Sequence, residues 1–141
     1  MDSIYCHWDG YLSHNGRILE ESYTDEAKIR ELIALGDLSS LGEEIGVKHP
    51  FDTPYDYGSQ AYLEFKQKYG HMCNAYGRDR GEDAPFKSFD GEAEFVDYYD
   101  GSGAEFYYLF DHGVWYVKSY KSDFKPLHEE LARLAKETEN A

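Results

Sequence analysis

The sequence predicts an α+β fold: one domain over residues 1–141, with an antiparallel sheet of about four or five strands and two main helices packed mostly on one face of it. Three observations lead there. Residues 104–120 alternate aromatic and aliphatic side chains in period two around Asp111-His112-Gly113, the pattern of a β-hairpin. Residues 25–35 and 124–136 repeat leucine and isoleucine at helical spacing. The length of 141 residues fits a single core, because two halves would each sit near the lower limit for self-support.

Taken in order, residues 3–8 are rich in aromatic and β-favouring types and read as a strand. Asp9-Gly10 and His14-Asn15-Gly16 are turn signals, and residues 17–23 read as the returning strand. There Ile18 and Glu20 fall on one face, Leu19 and Glu21 on the other, so the N-terminus is expected to be a hairpin with a long connection. Thr24 is placed as the N-cap of the helix at 25–35, its oxygen accepting from free N–H groups of the first turn, with Asp25 and Glu26 at the positive end of the dipole. Ile29, Leu32 and Ile33 form its apolar face, Glu26 and Arg30 an exposed pair, and Gly36 the stop. Leu38, Leu41 and Ile45 then share a face of a further helical turn, ended by Gly42 and Gly46. Residues 47–60 carry Pro50, Pro54 and Gly58 and read as an ordered loop; 61–69 read as a short helix and 72–77 as a strand of the central sheet. Residues 92–99 predict a helical turn or two, and Asp100-Gly101-Ser102-Gly103 a turn. In the hairpin, Tyr108 and Phe110 share one face, Tyr107 and Leu109 the other. Ser122 or Asp123 caps the last helix, whose apolar face is Leu127, Leu131, Leu134 and Ala135, and 137–141 read as a frayed tail.

Charge narrows the function. The chain has 28 acidic and 14 basic residues, a net charge of −14. Sequence-independent binding to nucleic acid needs Lys and Arg to displace counterions, and docking on an anionic bilayer needs a basic face, so neither is expected. Val, Ile, Leu and Phe total 28 of 141 residues, the compositional edge of disorder at this charge. The 14 Tyr and 2 Trp move it back and predict an unusually aromatic core. The N-terminus lacks the basic and apolar regions of a secretory signal, and the apolar runs are too short to span a bilayer, so a soluble cytoplasmic protein is expected. Cys6 and Cys73 are too few for a disulfide framework, though a bond between them stays open.

Chemical constellations are sparse. The six histidines are scattered with no H-E-x-x-H and no zinc-finger spacing; His71 and Cys73 could share a strand face as a pair, but a core thiol and a surface imidazole are expected. No G-x-S-x-G elbow is present, and the negative field opposes a reactive thiolate. Neither a catalytic activity nor a cofactor or metal is therefore expected. Two places remain. In Gly77-Arg78-Asp79-Arg80-Gly81, the arginines at i and i+2 could hold an anion, or pair with neighbouring carboxylates such as Asp79 and Glu82. In His7-Trp8-Asp9-Gly10-Tyr11, Trp8 packs in the core and Tyr11 covers an edge; alternatively His7, Trp8, Asp9 and Tyr11 wall a ligand site.

Residues 81–111 hold nine acidic residues against Lys87 alone, a net of −8. Aromatic rings interleave with them. Glu82, Asp83, Asp90, Glu92, Glu94, Asp97, Tyr98, Tyr99 and Asp100 are the candidate partner-binding residues, since fixed carboxylates among aromatic rings suit a lysine- and arginine-rich protein face.

The pattern His7-Trp8-Asp9-Gly10-Tyr11, Gly16-Arg17-Ile18-Leu19 and Leu32-Ile33-Ala34-Leu35-Gly36-Asp37-Leu38-Ser39-Ser40-Leu41-Gly42 resembles a group of small uncharacterised bacteriophage and prophage proteins. The stretch Ala75-Tyr76-Gly77-Arg78-Asp79-Arg80-Gly81-Glu82 and the hairpin around Tyr108-Leu109-Phe110-Asp111 are similar to the same group, with 47–70 as a variable insertion. The resemblance implies a phage or mobile-element origin and carries no activity. By analogy of size and charge with anti-CRISPR and anti-restriction proteins, the expectation is a non-enzymatic inhibitor acting in the host cytoplasm. It would bind a host protein with a basic surface, a nucleic-acid-binding defence complex, by imitating DNA. The alternative is a protein that sequesters an anionic nucleotide in an aromatic pocket beside Arg78 and Arg80.

Overall fold

Short strands and short helices alternate along the chain. The computed structural model describes residues 1–50, 56, 58–119 and 122–139. In order it contains β1 (Asp2–Ser3), a π-helical turn (Leu12–Gly16) running into α1 (Arg17–Ser22), α2 (Glu26–Ala34), β2 (Leu38–Ser40), α3 (Gln60–Tyr69) and β3 (Asn74–Ala75). Then come α4 (Tyr76–Arg80), β4 (Lys87–Ser88), α5 (Glu92–Asp100), β5 (Phe106–Asp111), β6 (Val114–Ser119), β7 (Lys125–Pro126) and α6 (Leu127–Glu139). The class is α+β. The strands are divided, however, among three small antiparallel ladders, β1-β4, β2-β3 and β5-β6-β7, in place of one sheet of four or five. Of the loop read at 47–60, residues 51–55 and 57 lie outside the described residues.

The β5-β6 hairpin is regular from Phe106↔Ser119 to Asp111↔Val114. His112 and Gly113 at its tip both have positive φ, 49° and 82°, which matches the twist of the strands they join. Helix α2 is capped by Asp25, not Thr24: the Asp25 carboxylate accepts from the Ala27 N–H at 3.1 Å. Gly36 follows with φ 80°. A side chain there would strike the Ala84 carbonyl, so both the backbone angle and the space require glycine.

Four sequence readings need correction. Residues 17–22 are helical. Adjacent Ile18 and Leu19 are both buried, which a strand would prevent and a helix allows, since neighbours there are only roughly 100° apart. The extended segment that follows β1 therefore finds another partner. Leu38 N–H donates to the Tyr5 carbonyl at 2.7 Å, and His7 and Trp8 N–H donate to Leu38 and Ser39 carbonyls at 3.0 Å each. That bonding makes Leu38–Ser40 a strand instead of a helical turn. Between 72 and 77, only Asn74–Ala75 join a ladder, because Tyr76 already opens α4. Finally, α6 starts at Leu127, after Lys125 and Pro126 have paired with β6, and continues through Glu139 into the expected tail.

The main core gathers Ile18, Leu19, Tyr23, Leu32, Leu38, Cys73, Trp115 and Leu127, among others. Tyr23 is its fully buried centre: its hydroxyl donates to Gly42 O at 2.7 Å, and the Trp115 indole donates to Tyr23 O at 2.9 Å. A second cluster of Phe95, Tyr99 and Tyr107 lies under α5. Phe95 meets Tyr99 and Tyr107 edge-on at 5.5 and 5.7 Å, and Tyr5 stacks on Tyr99 at 6.5 Å. The aromatic surplus of the sequence thus builds a small core of its own. No helix among the described residues is long and apolar enough to cross a membrane.

Candidate functional site

The acidic face is set by the period of α5. Phe95 and Tyr99, four residues apart, turn into the aromatic cluster, and this leaves Glu92, Glu94, Asp97, Tyr98 and Asp100 towards water. Tyr99 must accordingly be removed from the predicted partner face. It is 6% exposed, shares a hydrogen bond with the Ser3 hydroxyl at 3.2 Å, and burial raises its pKa. Tyr98 stays 47% exposed and Phe86 42%, with Lys87 Nζ 5.7 Å from the Tyr98 ring. Glu82, Asp83 and Asp90 are exposed beside them. Among the described residues none of Glu82, Asp83, Asp90, Glu92, Glu94 or Asp97 is in an ion pair. Glu94 accepts the Asp90 N–H at 3.1 Å, and Asp100 accepts the Tyr107 hydroxyl, whose pKa burial raises.

The N-terminal aromatic motif is presented outward. Trp8 is 57% exposed and Tyr11 48%, so Trp8 does not pack in the core. Asp9 takes φ 60°, which swings the chain outward before it enters the π-helical turn. Buried Asn15 holds that geometry, donating to Trp8 O at 3.3 Å and Cys6 Sγ at 3.5 Å, while its N–H reaches Asp9 O at 3.2 Å. Tyr108 adds a hydroxyl bond to Gly10 O at 2.6 Å, and His7 meets Trp8 edge-on at 4.5 Å. Burial pushes the Cys6 thiol up to about 11, the opposite of an activated nucleophile. Both cysteines are free thiols.

Arg78 does not face a ligand. Its guanidinium grips Asp79 with two nitrogens at 3.0 and 3.2 Å and donates to the carbonyls of Ile45, Gly46 and Cys73. The buried Asp79 carboxylate also accepts N–H groups of Ala75 at 2.8 Å and His49 at 3.2 Å. Burial alone would raise its pKa; the Arg78 hydrogen bonds and the two N–H groups outweigh burial and lower it. His49, which the sequence did not single out, is buried here. It stacks on Tyr69 at 5.0 Å, with Nε2 2.5 Å from Asn74 Oδ1. This is a structural knot joining the 45–49 segment to β3 and α4. Exposed Arg80 lies over the Tyr76 ring at 5.8 Å. Cys73 is a core thiol and His71 a surface imidazole, as expected: His71 lies 3.2 Å from Glu44, and Cys73 is buried against the Tyr23 hydroxyl at 3.3 Å. No group of three metal-ligating side chains occurs among the described residues.

An open cleft of about 1090 Å³ lies beside the acidic face. It is lined by His7, Asp9 and Tyr11 of the predicted ligand set but not by Trp8, Arg78 or Arg80. Among the described residues, the lysine or arginine side chain that lines it is Arg30, which Glu26 holds at 2.7 Å. The anionic-ligand constellation is thus not brought together. No protein-family model, no curated protein and no solved structure matches the chain.

Proposed function

We propose that the chain is a non-enzymatic binding protein whose acidic, aromatic α5 face engages a basic surface on a partner protein. One observation carries the reading: Glu82, Asp83, Asp90, Glu92, Glu94 and Asp97 are exposed without ion pairs among the described residues, in the same stretch of chain as the exposed rings of Phe86 and Tyr98. Unpaired fixed carboxylates create a field that steers a basic partner, and exposed rings supply the contact area that holds it. A protein that grips nucleic acid carries such a basic groove, so a defence complex of that kind is the proposed target, blocked where DNA would lie. The resemblance to phage and prophage proteins supports a host protein in that role.

The test is the triple variant Glu92→Lys, Glu94→Lys, Asp97→Lys, which moves the local charge by six units. Wild type is expected to capture a nucleic-acid-binding protein from bacterial lysate at low salt, to release it at high salt, and to be displaced by duplex DNA. The variant should melt like wild type and capture nothing. A variant that melts normally and still captures the same partner overturns the reading.

A further inference from the structure

Strand β5 is the outer member of the sheet β5-β6-β7, bonded on one side only. The phase of that bonding follows from the turn. Asp111↔Val114 flanks the two-residue tip and is a hydrogen-bonded pair, so Leu109 and Tyr107 are the next residues bonded to β6. The N–H and C=O groups of Phe106, Tyr108 and Phe110 therefore point away from β6. No backbone or side-chain group among the described residues bonds to them.

This open edge runs along the cleft. Residues 103–111 line it consecutively, which a strand edge does and a sheet face, offering alternate residues, does not. Helix α2 also lines the cleft, through Glu26, Ile29, Arg30, Leu32, Ile33 and Ala34. From Phe106 to Asp111 the strand carries no lysine, no proline and no bulge; its only charged guards are carboxylates, Asp111 and the preceding Glu105, which repel like edges and admit cationic ones.

We infer that the open β5 edge accepts an extended lysine- or arginine-bearing segment of the partner as an added strand, an inference that rests on the reading of the chain as a binder of basic proteins. Charge chooses the occupant. Asp2, Asp9, Glu26, Glu92, Glu105 and Asp111 line the cleft against Arg30, itself paired to Glu26. An incoming strand gains main-chain hydrogen bonds from β5, while its alternate cationic side chains meet carboxylates and the faces of aromatic rings. A second copy of this chain is a poor occupant, because it would bring the same carboxylates edge to edge.

The probe is a capped nine-residue peptide alternating lysine and valine, titrated into the full chain while amide exchange is followed by NMR. Protection of the Phe106, Tyr108 and Phe110 amides should rise at least about tenfold, from exchange set by the open edge to exchange set by a closed ladder. Backbone N-methylation at either the lysines or the valines should abolish binding in one of the two isomers, and a glutamate–valine peptide should not bind. Failure to bind, binding without protection of those three amides, or equal binding by both methylated isomers overturns the inference. Protection that appears in the free chain as it self-associates also overturns it. Partner capture that depends on Glu92, Glu94 and Asp97 but leaves the three amides unprotected overturns strand addition and leaves the α5 reading standing.

Discussion

The buried Asp79 carboxylate accepts four hydrogen bonds, two from Arg78 and one each from the Ala75 and His49 N–H groups. Its folded pKa is lowered from the ordinary 3.8, so the ionised form is favoured by folding. The stability it contributes is fully present above pH 3.8 and is lost as pH falls through the lower folded value. Asp79→Asn should cost about 3–5 kcal/mol at pH 7, because it strands the Arg78 guanidinium among carbonyls. In urea melts the gap to wild type should narrow as pH drops below 3.8. A gap independent of pH would mean the carboxylate charge is irrelevant. Cys6 gives a second residue-scale test. With its thiol near 11, labelling by a disulfide reagent at pH 8 should be slow in the native chain and fast in urea. Some of this was legible in the sequence: the adjacency of Arg78 and Asp79 already pointed to pairing. His49 was not, because its partner Asn74 is 25 positions away and no spacing rule joins them. Nor was the exposure of Trp8, which depends on Asp9 adopting a backbone angle that composition does not disclose.

Among the elements, helices with caps and a clear apolar stripe were readable, as was the terminal hairpin with its two-residue tip. The misread segments share a cause. Ile18 and Leu19 alternate with glutamates well enough for a strand, and Leu38, Leu41 and Ile45 recur well enough for a helix; in such short runs, partners elsewhere in the chain decide. Leu38 became a strand through Tyr5, Cys6 and β3, none of them local. The open β5 edge was equally hidden, since alternation shows that a strand exists and not what lies beside it. Three substitutions probe the elements. Leu127→Ala should cost about 2–5 kcal/mol, the side chain being fully buried, and the half-buried Leu131→Ala distinctly less. Gly36→Ala should cost more than about 1 kcal/mol, since positive φ and the Ala84 carbonyl both oppose a Cβ. Denaturant midpoints at constant slope would check all three.

At the scale of the whole molecule, a net charge of −14 on 141 residues works against compactness. Raising ionic strength from about 10 mM to 150 mM shortens the screening length from roughly 30 to 8 Å and should raise the melting temperature. A fall would mean that attractive pairs dominate the field. The long reach of the core contacts has another outcome. Tyr108 bonds to Gly10, Trp115 to Tyr23, and β1 pairs with β4, partners separated by 98, 92 and more than 80 positions. While the chain emerges from a ribosome, Tyr5, His7 and Trp8 can meet Leu38 and Ser39 early, but Gly10 and the Tyr23 carbonyl lack their Tyr108 and Trp115 partners until residue 115 is out. At roughly 5–20 residues per second those two contacts wait several seconds to form. Completing the core thus waits on these distant contacts, whose loop closure slows folding. A chain ending at residue 104 should remain unfolded by circular dichroism, having lost Trp115, Val117 and Leu127 from its core. Stalled nascent chains should accordingly stay protease-sensitive around residues 10–23 until residues 108–127 have emerged, and become resistant once they have.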